Sequence, residues 1–399
     1  MIPDVLKQAS GALALGAAAF SVSACTTVPA GNTGVRASAD TKAALCQTGG
    51  VTVLGLFETA GRHHCTVTGP GAVTLSVDPE AAAAGPINPS PWYRFELEAE
   101  RGTGFAVTLD YGDYRHRYNP LIEHDGDMAP LDEARVLREE PGNRVTLSLA
   151  LDAGTTLVSG RNARTPDQIA AWSEAFARDH GFESIEYGRS AQGRVLEALV
   201  AGNEREDTLI VAVTRQHPPE VSGAQAFEAF AERLAGQGGG RDARILLIPL
   251  ANPDGVAGGH WRHGARGVDL NRDWYTAEQP AVSAAQALIE AEAEGRDQIL
   301  FFDFHSTNRT VIYSPPDDYA GRGADFLAQL RALYAAELSN PPPWEGAHNP
   351  GKGTSKGWAI SVLEAPGLTV ELADHAESPE IEAVGTLTAD AALSYARSR

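Results

Sequence analysis

The stretch TRQHPPEVSG, Thr214 to Gly223, sets an imidazole and a carboxylate three residues apart, at His217 and Glu220, with two prolines between them. Imidazole nitrogen and carboxylate oxygen are the ligand types a zinc ion takes from proteins. The prolines restrict the backbone between the two groups. Spacing alone is a weak signal, because a chain with 11 histidines gives about one His-x-x-Glu by chance. HGFE, His180 to Glu183, has the same spacing at the end of a helical run beside a glycine, where a histidine is an ordinary helix-end residue. Context separates the two cases. His217 and Glu220 follow the apolar run DTLIVAVT and precede a helical stretch, which puts them at the lip of a sheet. A catalytic zinc site typically uses three protein ligands and keeps a position for water. His305, at the end of QILFFDFHS, supplies a third donor at a second strand end.

These residues need a scaffold, and the sequence outlines one. DTLIVAVTRQH, ARILLIPLANP and QILFFDFHS are nearly continuous apolar runs of strand length. Such runs suit strands buried on both faces of an α/β sheet. Helical stretches lie before and between them: IAAWSEAFARDHG, GAQAFEAFAERLAG and AVSAAQALIEAEAE. Each apolar run ends in a polar cluster, and sites in open α/β sheets gather outside the carboxyl ends of strands. Upstream the texture differs. VTVLGLF, CTVTG, AVTLSVD, WYRFELEAE, GFAVTLDYG and RVTLSLALD are short, alternating and punctuated by turn residues, the pattern of a β-sandwich. The predicted organisation is an all-β sandwich over 41–160, then an α/β domain with a mixed central sheet flanked by helices over 161–399.

The chain has 399 residues, 43% of them hydrophobic and 21% charged, so a globular protein with a sizeable core is expected. The net charge of −20 and the lack of a dense Lys/Arg cluster argue against a nucleic-acid binder. The first residues suggest targeting. Lys7 precedes the apolar run Ala12 to Phe20, which is too short to span a membrane, and VSAC ends at Cys25. VSAC resembles the lipobox of bacterial lipoprotein precursors. The expected reading is a signal peptide over 1–24, a lipid on Cys25 and a flexible tether over 25–40. Ordinary secretory cleavage after Ala24 is the plainer alternative. Either way the chain is exported, to the periplasmic face of a bacterial membrane if lipidated. Cys46 and Cys65 would then sit where a disulfide persists; two buried thiols are the alternative.

In order, HPPE, NPDG, GVDLNRDW, DFHST and LTVEL resemble the zinc metallocarboxypeptidase family, specifically its cytosolic-carboxypeptidase-like branch, in which a β-sandwich precedes the catalytic domain. The likeness runs from about Pro91 to Asp374. It implies one zinc per chain held by His217, Glu220 and His305, with Glu371 as general base. It implies that Arg262 polarises the scissile carbonyl, with Arg266 as the alternative. Asn271 and Arg272 would hold the terminal carboxylate of a peptide, and Asp269 would orient a zinc histidine, His217. Lys356 matches the position that selects the departing side chain. A lysine there implies preference for C-terminal glutamate or aspartate, against the plain reading of a solvated loop lysine. Arg309 is a second basic contact to consider. One departure is visible: where many members carry a substrate-closing tyrosine, this chain reads EGAHNPGKGTS, with His348 and Asn349 near the expected place. A zinc amidohydrolase acting on γ-glutamyl-linked cell-wall peptides or N-acyl amino acids is the alternative activity. A binding module without catalysis is disfavoured, because all three ligands and the base are present. Oligomeric state is not readable.

Overall fold

The computed structural model describes residues 42–85, 91–346 and 348–399; the expected signal segment, tether and Cys25 lie outside them. The described chain begins with eleven strands: β1 (Ala43–Thr48), β2 (Val51–Gly55), β3 (Cys65–Gly69), β4 (Ala72–Ser76), β5 (Arg94–Ala99), β6 (Thr103–Asp110), β7 (Leu121–His124), β8 (Asp127–Pro130), β9 (Val136–Glu139), β10 (Arg144–Leu151) and β11 (Gly154–Ser159). They form two sheets, ordered β1-β2-β5-β11-β7-β8 and β3-β4-β6-β10-β9. Alternation does the work: in β6 and β10 every second side chain is buried, so one face of each sheet is apolar. Phe95 and Leu97 of one sheet and Val107, Leu109 and Leu147 of the other enter a single core, with Trp92 and Tyr93. Cys46 and Cys65 are joined by a disulfide, Cα atoms 5.9 Å apart, which ties β1 to β3 across the two sheets.

The remaining strands build one sheet: β12 (Glu183–Arg189), β13 (Val195–Ala201), β14 (Thr208–Thr214), β15 (Arg244–Ile248), β16 (Gln298–Thr307), β17 (Val311–Ser314), β18 (Trp344–Gly346) and β19 (Gly367–Ala373), in the order β12-β13-β15-β14-β16-β19-β17-β18. The inner four, β15, β14, β16 and β19, run parallel, and β12, β13 and β17 add antiparallel pairings. All seven residues of β14 are buried, as an inner strand covered on both faces requires. The helices are α1 (Pro166–His180), α2 (Val221–Gly236), α3 (Pro253–Ala257), α4 (Pro280–Ala293), α5 (Ala324–Glu337), α6 (Ser355–Ser361) and α7 (Ser378–Arg397). Phe227 and Phe230 of α2, Tyr334 of α5 and Leu393 of α7 cover one face of the sheet. Ile289 of α4 and Trp358 of α6 cover the other. Helix α1 opens with a capping box between Thr165 and Gln168 and stops at left-handed Gly181, the expected start and stop chemistry. Among the described residues no helix is long and apolar enough to cross a membrane.

Candidate metal centre

Strand β14 ends at Thr214, and the chain turns at once through Arg215, whose φ of 59° is left-handed. This turn delivers His217, Pro218, Pro219 and Glu220 to the carboxyl edge of the sheet just ahead of α2. Glu220 stands at the N-cap position of α2, yet its side chain makes no cap bond. It reaches the histidines instead. His217 Nδ1 lies 2.8 Å from Glu220 Oε1, and His305 Nδ1 lies 2.6 Å from Glu220 Oε2. The potential ligand atoms of His217, Glu220 and His305 all fall within 4.8 Å of one another. His305 is the eighth residue of β16, paired in parallel register beyond the end of β14. The start of α2 meets it closely at Gly223, where a Cβ would fall 2.3 Å from the His305 carbonyl oxygen. Only glycine allows that approach, so Gly223 helps set the distance between the two ligand-bearing elements.

Each imidazole is anchored through its other nitrogen. His217 Nε2 meets Asp269 Oδ1 at 3.0 Å. His305 Nε2 meets Asp303 Oδ2 at 2.8 Å. An N–H given to a carboxylate at Nε2 leaves Nδ1 as the lone-pair donor, the tautomer a metal ligand needs. Asp303 also accepts from Gln216 Nε2 at 2.7 Å and from the Ser355 hydroxyl. Gln216 is fixed in turn by Trp274 Nε1 and by Asn252, the asparagine of NPDG, which donates to the Gln216 carbonyl. Burial opposes the charged forms of Glu220 and His305, but His217 and His305 hold Glu220 well below its ordinary pKa, and Asp303 and Glu220 hold His305 well above. Burial likewise opposes ionised Asp269, and His217 and Arg262 outweigh it, keeping it far below the carboxylate range. Two imidazoles and one carboxylate, converging and buried, fit a zinc ion.

The other expected residues gather around these three. Glu371 on β19 is the register partner of His305 on β16, so the two side chains stand next to each other on one face. Burial, then repulsion from Glu220, pushes the Glu371 carboxyl up to about 8, and its Oε2 has no hydrogen-bond partner among the described residues. Arg262 donates from Nε to Asp269 Oδ2 at 2.6 Å. Arg266 is exposed. Asn271 is buried, with Oδ1 accepting from Ser355 N at 2.9 Å and Nδ2 3.2 Å from His305 Nε2. Since His305 Nε2 gives its proton to Asp303, that last contact is packing, not a bond. Arg272 follows directly. The loop carrying Gly353 sits on it, Gly353 O accepting from Trp274 N at 3.0 Å. Lys356, two residues past the Thr354 cap of α6, is only 4% exposed. Its ammonium reaches the carbonyls of His348 at 3.0 Å and Ser314 at 3.4 Å, and burial lowers its pKa to about 8. The solvated-loop reading of Lys356 therefore does not hold. The His348 ring stacks on Tyr313, centroids 3.8 Å apart. Arg309 pairs at the surface with Glu345. His180 closes α1 and bonds Glu232 at 2.8 Å; it is not part of the His217–Glu220–His305 group.

Sequence reasoning missed several supports. Asp303 had a signal: it lies two residues before His305 on a strand, hence on the same face. Arg117 had none. It grips Asp374 with Nε and Nη2 at 2.8 and 3.0 Å and gives Nη2 to the Ser306 carbonyl at 3.3 Å. It thereby joins the ends of the strands that carry Glu371 and His305.

A three-ligand metal site at the carboxyl edge of a mixed α/β sheet, with a carboxylate beside it, defines a metal-dependent hydrolase class. The zinc carboxypeptidase family model matches residues 169–384, more than half of the chain, and the protein belongs to that family. Its metal is zinc, and His217, Glu220 and His305 fit it. A metallo-carboxypeptidase from Burkholderia cenocepacia superposes with a TM-score of 0.73 at 18% identity, over 86% of this chain and 98% of that one. One from Pseudomonas aeruginosa, in complex with (2-guanidinoethylmercapto)succinic acid, gives 0.69 at 19% identity, over 86% and 99%. In sequence, cytosolic carboxypeptidase 3 of Bos taurus is 27% identical over 153 residues, 36% of this chain and 14% of that protein. An uncharacterised protein of Zymomonas mobilis is 33% identical over 114 residues, 27% and 28% of the respective chains. The aligned stretches thus span less than a third of these two sequence relatives.

Proposed function

We propose that this protein is a zinc-dependent carboxypeptidase that removes one residue from the C-terminus of a peptide and prefers glutamate or aspartate there. The observation that carries the proposal is the grouping of Glu371, Arg262 and Asn271 around the His217–Glu220–His305 cluster, with Arg272 following Asn271 and buried Lys356 following Ser355, which bonds Asp303. When bound, zinc supplies a Lewis acid that polarises the scissile carbonyl and acidifies water. Glu371 takes a proton from the attacking water and hands it to the departing amine. The terminal nitrogens of Arg262 stabilise charge developing on the scissile oxygen. Asn271 and Arg272 hold the peptide's terminal carboxylate, the planar guanidinium by two parallel bonds. That grip fixes the cut one residue from the end. Among the described residues the Lys356 ammonium meets the carbonyl oxygens of His348 and Ser314 and the face of the Tyr313 ring, and a substrate carboxylate would give it a countercharge.

The domain limits of 41–160 and 161–399, and the exported, lipid-anchored address through Cys25, belong to the same reading. The Cys46–Cys65 disulfide supports an oxidising compartment. The test uses the zinc-loaded protein with peptides differing only in the last residue: Glu, Asp, Lys, Leu or Phe. Mass spectrometry reads loss of one residue, with Glu371→Gln as blank. Loss of Glu and Asp ahead of the others is expected. Loss of Leu, Phe or Lys instead refutes the acidic preference, and no loss from any peptide with zinc bound refutes the carboxypeptidase.

A further inference from the structure

Arg262 lies on the connection between α3 and Asp269, a stretch without regular secondary structure. A side chain that must meet a developing charge needs a fixed backbone, and a loop of this kind does not fix itself. The restraint comes from the β-rich N-terminal region. Glu80, just after β4, is 5% exposed. Its Oε1 accepts from Arg262 N and His263 N, each at 2.9 Å, and from His263 Nδ1 at 2.8 Å. Its Oε2 accepts from Trp261 N at 3.0 Å. Three successive backbone amides thus close on one carboxylate. The flanks are held too: Thr59 N donates to Ala257 O at 2.9 Å, and Ala83 N to Gly267 O at 2.8 Å. At Gly259, with φ +60°, a Cβ would fall 1.8 Å from the Ala60 carbonyl oxygen, so only glycine lets the loop lie this close. The Trp261 ring is buried in the core of the first two sheets.

We infer that Glu80 is a positioning residue for the reaction: it fixes the backbone at Arg262, so that the guanidinium stays aligned between Asp269 and the substrate oxygen. The inference rests on the role proposed for Arg262. Glu80 touches neither metal ligand nor substrate site, and it acts only through the loop. Burial opposes its charge, but the His263 ring and the backbone amides outweigh that and hold its pKa below the ordinary carboxylate value. It is therefore a fixed anchor, not a switch. The β-rich region then supplies part of the catalytic alignment as well as an adjoining fold.

The test is a double-mutant cycle between Glu80→Gln and Arg262→Ala in the full-length, zinc-loaded protein. The amide of Glu80→Gln keeps the shape but sets a donor against the Trp261 N–H. Roughly a hundredfold loss in kcat is expected, the scale of an ångström of misplacement, with KM and zinc content little changed. In the Arg262→Ala background the same substitution should then do almost nothing. His263→Asn is the milder second variant, which leaves the three backbone bonds to Glu80 and remains usable if Glu80→Gln folds poorly; it should show a smaller loss with the same dependence on Arg262. An unchanged kcat in Glu80→Gln, or an equal loss with and without Arg262, overturns the inference. If Arg262→Ala itself keeps full activity, the reading of Arg262 fails, and the role of Glu80 falls with it.

Discussion

Replacing Lys356 with methionine separates function from stability. Burial holds this ammonium at about 8, down from an ordinary 10.5. That difference corresponds to roughly 3 kcal/mol of penalty on the charged form. Its pKa is lower in the folded than in the unfolded state, so below about pH 8 the folded protein carries the whole penalty, and stability recovers as pH rises from 8 toward 10.5. Methionine has similar length and no charge. Lys356→Met should therefore raise the thermal midpoint of the zinc-loaded protein at pH 7, not lower it. An incoming side-chain carboxylate relieves up to the same roughly 3 kcal/mol, so kcat/KM for a peptide ending in Glu should fall about a hundredfold. A Leu-ending peptide should change by only a few-fold. In the native protein the Glu-to-Leu ratio of kcat/KM reads the free-enzyme state of Lys356. It should be flat below pH 7 and fall about tenfold by pH 9. Paired assays of the two peptides across pH, with a melting curve for each variant, check all three statements. A variant that melts earlier and loses both peptides equally would show that Lys356 only braces the His348 and Ser314 carbonyls, and the argument for acidic preference would be gone.

The other expectations are simpler. Glu371→Gln should lower kcat by about 10²–10⁴-fold, the range for a lost general base, while zinc content by elemental analysis stays at the native level. Asp303→Asn weakens the acceptor behind His305 and should reduce zinc affinity about 10–100-fold, read by competition with a chelating dye. Zinc binding must displace the proton that Asp303 and Glu220 stabilise on His305, so affinity should rise with pH through neutrality; a pH-independent titration would contradict the site. Stripping the metal with a chelator should lower the thermal midpoint, and zinc should restore it, because a ligand bound only by the folded state stabilises it by mass action.

The metal ligands were legible because their signals are local. His217 and Glu220 flank a turn between a buried strand and a helix, and His305 closes a strand, so sheet-edge geometry brings them together. The apolar inner strands were legible for the same reason: burial on both faces leaves an unbroken apolar run. Two of the strands that were not read are short and lie at or next to a sheet edge. Strand β8, Asp127–Pro130, is mostly exposed and contains a proline, which edge position tolerates. Strand β7 has four half-buried residues with no alternation. Nothing in these segments marks a core face, because they scarcely have one.

Long-range polar supports are a different matter. Arg117 and Asp374 are 257 positions apart, and Glu80 and Trp261 are 181 apart. Lysine, arginine and glutamate are common on surfaces, so a single charged residue in a loop carries no mark of burial. Glu80 is the harder case, since three of its four donors are backbone N–H groups, and an amide has no side-chain identity to match. Lys356 shows the same limit from the other side: a glycine-rich polar loop reads as solvated, yet α6 and Tyr313 close over the lysine. The residues that touch a metal must have particular chemistries, and the sequence displays them. Those that hold the metal's neighbours still need only be charged and well placed, and placement is a property of the fold.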